Sequence, residues 1–214
     1  DLHSFPTRRS SDLLSSVAEP LYLDVVTALK GTRFESAKMY RGRYGLGSKD
    51  VQPGDLLAAF ENMEKPDGKH EFTLSINDDV THLSLTPSHY PDTAPEGTKA
   101  CKFWGLGADG TVGANKNSIK IIGDHTDKKV QAYFQYDSKK SGGVTISHLR
   151  FGDKPIKSTY YVKQADFVAC HNSAYLQKYN MVEDVKPGGF FLLNCVWNED
   201  RKSTRLNSSH VKLS

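Results

Sequence analysis

Gly105-Leu106-Gly107-Ala108-Asp109-Gly110 is the stretch whose residue types and spacing could do chemistry. It is a GxGxxG run between a short strand-like stretch and a helical one. Glycines there permit a tight turn and close backbone approach, and the N-terminus of the following helix offers free N–H groups to a phosphate. The same run also fits a glycine-rich turn that only packs helix on strand. What ends the next strand bears on the ligand. A dinucleotide site for NAD wants an acid about twenty residues on, to hold the ribose hydroxyls, and Asp137 is at a tolerable distance. Yet Asp137 is followed at once by Ser138-Lys139-Lys140-Ser141-Gly142-Gly143. Two ammonium groups on a small-residue loop suit an extra phosphate better than a bare ribose, although lysines in such a place also fit a solvated turn.

Other chemistries are excluded by spacing. Cys101, Cys170 and Cys195 are odd in number and far apart, with no CxxC and no Cys/His cluster of metal-ligand spacing, which argues against disulfides, structural zinc and a locally held iron–sulfur cluster. The eight histidines offer no metal-binding pair, and no Ser/His/Asp or Cys/His arrangement stands out. With no signal-peptide pattern, the cytoplasm is the expected compartment. The formal charge of +3 is accounted for by Lys202, Arg205 and Lys212, so the rest of the chain is balanced and lacks the basic footprint of a nucleic-acid binder. A mean hydropathy of −0.54 and the lack of a long apolar run predict no membrane span.

The elements that must position the glycine run fit into 214 residues as one large domain or two small or incomplete ones. Leu21, Val25, Ala28 and Leu29 have helical spacing, with Gly31 as the stop. Residues 37–46 read as a strand running into a turn. Pro53 opens a second helix with Leu56, Leu57, Phe60 and Met63 as its apolar face. Phe72, Leu74 and Ile76 alternate as a half-buried strand. Residues 85–98, with Pro87, Pro91 and Pro95, read as a linker. Beyond it come a strand at 102–105, a helix at 111–122 closed by Gly123, and an almost continuously apolar strand at 130–136. Val144, Ile146 and His148 alternate. A buried strand at 167–170, a short helix at 173–180 and a buried strand at 190–196 follow. Strands separated by helical stretches predict a parallel sheet with helices on its faces.

Arg43–Asp50 (RYGLGSKD), Phe103–Lys116 (FWGLGADGTVGANK), Gln131–Arg150 (QAYFQYDSKKSGGVTISHLR) and Phe167–Asn172 (FVACHN) resemble pyruvate:ferredoxin (flavodoxin) oxidoreductases, over most of Glu19–Asn198. The resemblance implies an α/β chain. Residues 14–84 would end a transketolase-C-like domain, and 99–201 would begin a Rossmann-like, γ-type domain with a mostly parallel sheet. It also implies an enzyme that oxidises pyruvate on thiamine diphosphate, passes electrons through [4Fe–4S] clusters to ferredoxin or flavodoxin, delivers acetyl to coenzyme A, and works as a homodimer. Carried over by position, Gly107, Ala108, Asp109, Gly110 and Thr111 make the coenzyme A loop and Lys139 reaches a phosphate of its nucleotide. Asn172 and Asn194 fit ordinary turn chemistry and are weaker ligand candidates.

The thiamine motif is absent: Ala108-Asp109-Gly110 departs from GDG at its first position, and no Asn occurs between Asn117 and Asn172. The cysteine-rich segment is missing too, so this piece is expected to supply binding without turnover. A sibling 2-oxoacid oxidoreductase and a non-catalytic nucleotide-binding module are the competing expectations. Residues 1–13 and 202–214 are polar and aperiodic, resemble translated sequencing-adapter scars, and are expected to be disordered. On that reading 14–201 is an internal piece of a longer protein.

Overall fold

The computed structural model describes residues 18–45, 49–77, 80–137, 142–195 and 211–212. The chain divides into two compact units between Asp92 and Thr93, inside the 85–98 stretch.

In the first unit, α1 (Pro20–Leu29) has Pro20 in its first turn, where a missing N–H costs nothing. Gly31 follows at φ +75°, the left-handed stop. The strand β1 (Arg41–Arg43) pairs in parallel with β2 (Glu71–Thr73), and α2 (Pro53–Glu64) connects them. Glu19, just before α1, takes Arg43 Nε at 2.5 Å and lies 3.5 Å from Arg41 Nε. Arg41 also pairs with Glu71. Burial alone would raise the Glu19 pKa, but Arg43 and then Arg41 hold it below the ordinary value. The strand at 72–76 is shorter than its alternation predicts, because Ser75 turns to φ +58°. The apolar face expected of α2 is split: Gly54, Asp55, Ala58 and Asn62 are its buried residues, Leu57 is half-buried, and Leu56, Phe60 and Met63 are exposed.

The second unit is a six-stranded mixed sheet in the order β4-β5-β3-β6-β7-β8. Its strands are β3 (Lys99–Leu106), β4 (Lys129–Tyr136), β5 (Val144–Gly152), β6 (Ala165–Cys170), β7 (Val185–Leu193) and β8 (Val211–Lys212). The expected parallel pairing holds for β3, β6 and β7. The turn between β4 and β5 is too short for a crossover, so they form an antiparallel hairpin whose β5 lies against β3. On one face Ala100, Trp104, Ile146, Val168, Cys170, Phe191 and Leu193 pack with Val162, Tyr175 and Met181. The helix α3 (Thr111–His125) covers the other face beside β3, β4 and β5.

Several boundaries differ from their local signals. The helix α3 runs past Gly123 to His125; a Cβ at Gly123 would sit 3.1 Å from Val130, so the glycine permits close packing rather than ending the helix. The apolar run of β4 is an edge strand, with Val130 39% exposed, because β5 is its only neighbour among the described residues. The strand expected at 190–196 occupies 185–193; Lys186-Pro187-Gly188-Gly189 reads as a loop, yet β7 passes through it with a register shift against β6. The expected helix at 173–180 is a 3-10 turn, Ser173–Gln177, followed by a second one, Met181–Asp184. Of the two ends expected to be disordered, 1–13 lies outside the described residues. So does 202–214 except Val211–Lys212, which pairs with Phe190 and Phe191.

The apolar face of the sheet also buries charge. Lys102, His148 and Arg150 are all buried, and Lys102 lies across the ladder from His148. His148 Nδ1 accepts the Val162 N–H at 3.2 Å, and the ring stacks on Tyr161 at 4.5 Å. Burial, then Lys102 and Arg150, press its pKa down to about 3 from 6.5. The ring is therefore neutral in the fold but takes a proton on unfolding below pH 6.5. Its contribution is complete above that pH and is lost as pH falls from 6.5 towards 3. At pH 5 the loss is about 2 kcal/mol. Urea unfolding at pH 7 and pH 5 should show this, and His148→Gln should remove that part of the pH dependence. An unchanged slope in the variant would place the acid sensitivity elsewhere.

Candidate functional site

The C-terminal ends of β3, β6 and β7 lie side by side, and the glycine turn rises from the first of them. Each glycine has a separate physical reason. A Cβ at Gly105 would meet the Thr111 side chain at 2.7 Å, so its absence lets α3 close on the strand. Gly107 donates its N–H to Gly143 O at 2.8 Å, and a Cβ there would approach that oxygen to 3.2 Å. Gly110 caps α3 at φ +84°.

Between them Asp109 braces the turn. Its Oδ2 accepts the Leu106 N–H at 2.7 Å and its Oδ1 the Thr111 N–H at 2.8 Å. Burial alone would raise its pKa, but the bonds from Thr111 and Leu106, with His171 nearby, hold the carboxyl below its ordinary range. Ala108 is held at φ +106°, where a side chain is strained. The N–H groups of Ala108 and Gly110 have no partner among the described residues. The structure thus gathers Gly107, Ala108, Asp109, Gly110 and Thr111 into one turn. Lys139 lies outside the described residues.

Gly143, the described end of the β4–β5 connection, stands beside this loop through the Gly107–Gly143 bond. Asp137 lies at its base and donates its N–H to Val144 O at 3.1 Å. With β5 inserted between β4 and β3, Asp137 is a strand further away than the ribose-binding acid of a dinucleotide site, which ends a strand directly beside the glycine strand.

Past β6 and β7, Asn172 accepts the Ala174 N–H at 3.1 Å and caps the 3-10 turn. Asn194 donates to His171 O at 3.4 Å. Two residues that the sequence reading did not single out join them. His171 stacks parallel to Phe103 with ring centroids 6.3 Å apart. Tyr175 is buried with a hydroxyl that has no partner among the described residues; burial, then Tyr179 and Asp109, raise its pKa. Only the strand pairing, with His171 N–H on Trp104 O at 2.8 Å, brings residue 171 near residue 109.

The sequence pattern of the family described as "Pyruvate ferredoxin/flavodoxin oxidoreductase" matches residues 100–212. The chain belongs to that family. It is 56% identical to pyruvate:ferredoxin oxidoreductase of Moorella thermoacetica over 191 residues, covering 89% of this chain and 16% of that protein. It is 54% identical to pyruvate-flavodoxin oxidoreductase of Enterobacter agglomerans, again over 16% of that protein. A mitochondrial NADP(+) pyruvate dehydrogenase of Euglena gracilis is 48% identical across 87% of this chain and 10% of its own length. Among solved structures, pyruvate oxidoreductase subunit PORC of Thermotoga maritima aligns with 49% of this chain and 53% of its own at 21% identity and a TM-score of 0.41. This member of the pyruvate ferredoxin/flavodoxin oxidoreductase family therefore spans about a sixth of the length of the first two curated relatives named.

Two cofactors implied by the resemblance do not fit the residues present. Both carboxylate oxygens of Asp109 are taken up by backbone N–H groups, so it does not face outward to a thiamine diphosphate metal. The three cysteines stand on β3, on β6 and beyond β7, not in the close set of thiolates that holds an iron–sulfur cluster. No group of three metal-ligating side chains is placed to hold an ion among the described residues.

Proposed function

We propose that this chain is the coenzyme A-binding portion of a pyruvate:ferredoxin or flavodoxin oxidoreductase, with residues 14–84 ending one domain and 99–201 beginning the next. In the full-length protein the thiamine diphosphate and [4Fe–4S] clusters are held outside it, and the homodimer and electron acceptor are met there. The location is cytoplasmic; no helix among the described residues is long and apolar enough to cross a membrane. One observation carries the coenzyme A reading: the glycine turn is braced from within by Asp109, leaving backbone N–H groups at a helix N-terminus free for a phosphate. In sequence Lys139 falls between Asp137 and Gly143, and Gly143 bonds to the glycine turn.

Lys139→Ala should weaken coenzyme A about tenfold and barely change dephospho-coenzyme A. Only the former carries the 3′-phosphate, and a charge-assisted bond of about 1.5 kcal/mol is close to one decade. Calorimetry of the 214-residue chain with coenzyme A, dephospho-coenzyme A and NAD reads this out. Equal losses for the first two would remove the 3′-phosphate contact, and tighter binding of NAD would overturn the ligand.

A further inference from the structure

Tyr175 carries a donor that the fold does not use. The residue is 6% exposed, and its hydroxyl has no partner among the described residues. A buried hydroxyl without a hydrogen bond is destabilising and calls for a reason. The ring packs in the apolar cluster of the sheet with Trp104 and Cys170. It meets Tyr179 edge-on at 5.6 Å, and Tyr179 lies 5.1 Å from Trp104. A serine or threonine oxygen reaches a nearby carbonyl by turning one bond; a phenol oxygen at the end of a ring packed in this way does not. Its place is set by the chain. The Tyr175 N–H bonds to Asn172 O at 3.0 Å just after β6, and the end of β6 is tied to the glycine strand by the His171 N–H on Trp104 O. Leu106, the last residue of β3, packs against the same cluster. The carboxylates acting on the hydroxyl are those of Asp109 in the glycine turn and Asp137 after β4. The hydroxyl therefore faces the strand ends from which the turn rises.

We infer that the Tyr175 hydroxyl is a ligand contact of the glycine-turn site, donating to a phosphoryl oxygen of the pyrophosphate in the bound nucleotide. This contact rests on the coenzyme A reading and adds a residue to it. The donors of the turn itself are backbone amides at the start of α3, which suit one anionic group. A pyrophosphate presents a second one beside the first. Asp109 is engaged by the Leu106 and Thr111 N–H groups and leaves the phenol unbonded. A donor held in place before the ligand arrives loses little freedom on binding, which is the gain from preorganisation. The 3′-phosphate assigned to Lys139 lies on the far side of the ribose, so the two contacts are separable.

Tyr175→Phe deletes only the hydroxyl. In the 214-residue chain it should weaken coenzyme A and dephospho-coenzyme A alike, about tenfold by calorimetry. It should not lower the melting temperature, because the group removed has no partner in the unliganded fold. A purely structural tyrosine would give unchanged affinity and a lower melting temperature, and either result overturns the inference. A loss confined to coenzyme A also overturns it, by moving the contact to the 3′-phosphate. NAD shares the pyrophosphate and separates this contact from the proposed function. If NAD binds more tightly than coenzyme A and Tyr175→Phe weakens it, the coenzyme A reading falls and the Tyr175 contact stands. Equal binding of coenzyme A by the wild-type chain and the variant does the reverse. Binding of none of the three ligands ends both.

Discussion

Asp109→Ala should weaken coenzyme A binding about a hundredfold. The carboxylate accepts the N–H groups of Leu106 and Thr111, so it ties the last residue of β3 to the first of α3. Between them Ala108 is kept at φ +106° and Gly110 at φ +84°. Without the carboxylate both N–H groups lose their partner, and the turn relaxes from the strained conformation that aims its amides outward. Bonds to a charged group contribute about 1.5–3 kcal/mol each, so two at the lower end are about 3 kcal/mol, or two decades of affinity. Asp109→Asn offers one carbonyl oxygen in place of two and should fall between. Thermal unfolding should change less than affinity, because Ala108, Asp109 and Gly110 are exposed. Calorimetry gives the answer directly. A loss under threefold in Asp109→Ala would mean that the ligand does not depend on this turn.

Asp184→Ala should destabilise the second unit by about 3 kcal/mol. Lys102 is buried, its Nζ lies 2.7 Å from Asp184 Oδ2, and it rests 5.1 Å from the Trp104 ring centroid. Removing the acid leaves a buried ammonium beside the Trp104 ring, with the neutral His148 across the ladder. Stranding one partner of a buried pair costs about 3–5 kcal/mol, and the partial exposure of Asp184 places the effect at the lower end. For a unit of this size, Thr93–Ser214, that lowers the melting temperature by roughly 12 °C. The control is Lys102→Met with Asp184→Leu, which removes both charges and should recover most of the loss. A double variant as unstable as Asp184→Ala would show that packing, and not the stranded charge, is responsible.

Local chemistry made part of this protein legible in its sequence. The glycine turn was readable because a tight turn and a helix start each demand particular residues within a few positions, and Gly105, Gly107 and Gly110 each meet one such demand. The start of α2 at Pro53 and the stop after α1 at Gly31 were readable for the same reason. Tertiary structure decided what depends on partners distant in the chain. Periodicity groups Leu56, Phe60 and Met63 on one side of α2, but Asn62 bonding to Lys69 turns that side outward. The apolar text of β4 does not reveal that it is an edge strand, nor that β5 separates Asp137 from the glycine strand. His171 lies sixty residues from the turn, and only the parallel pairing of β6 with β3 brings it there. Spacing along the chain specifies which side chains share a face; which face is buried, and which strand ends meet, is set by non-local pairing that no short window contains.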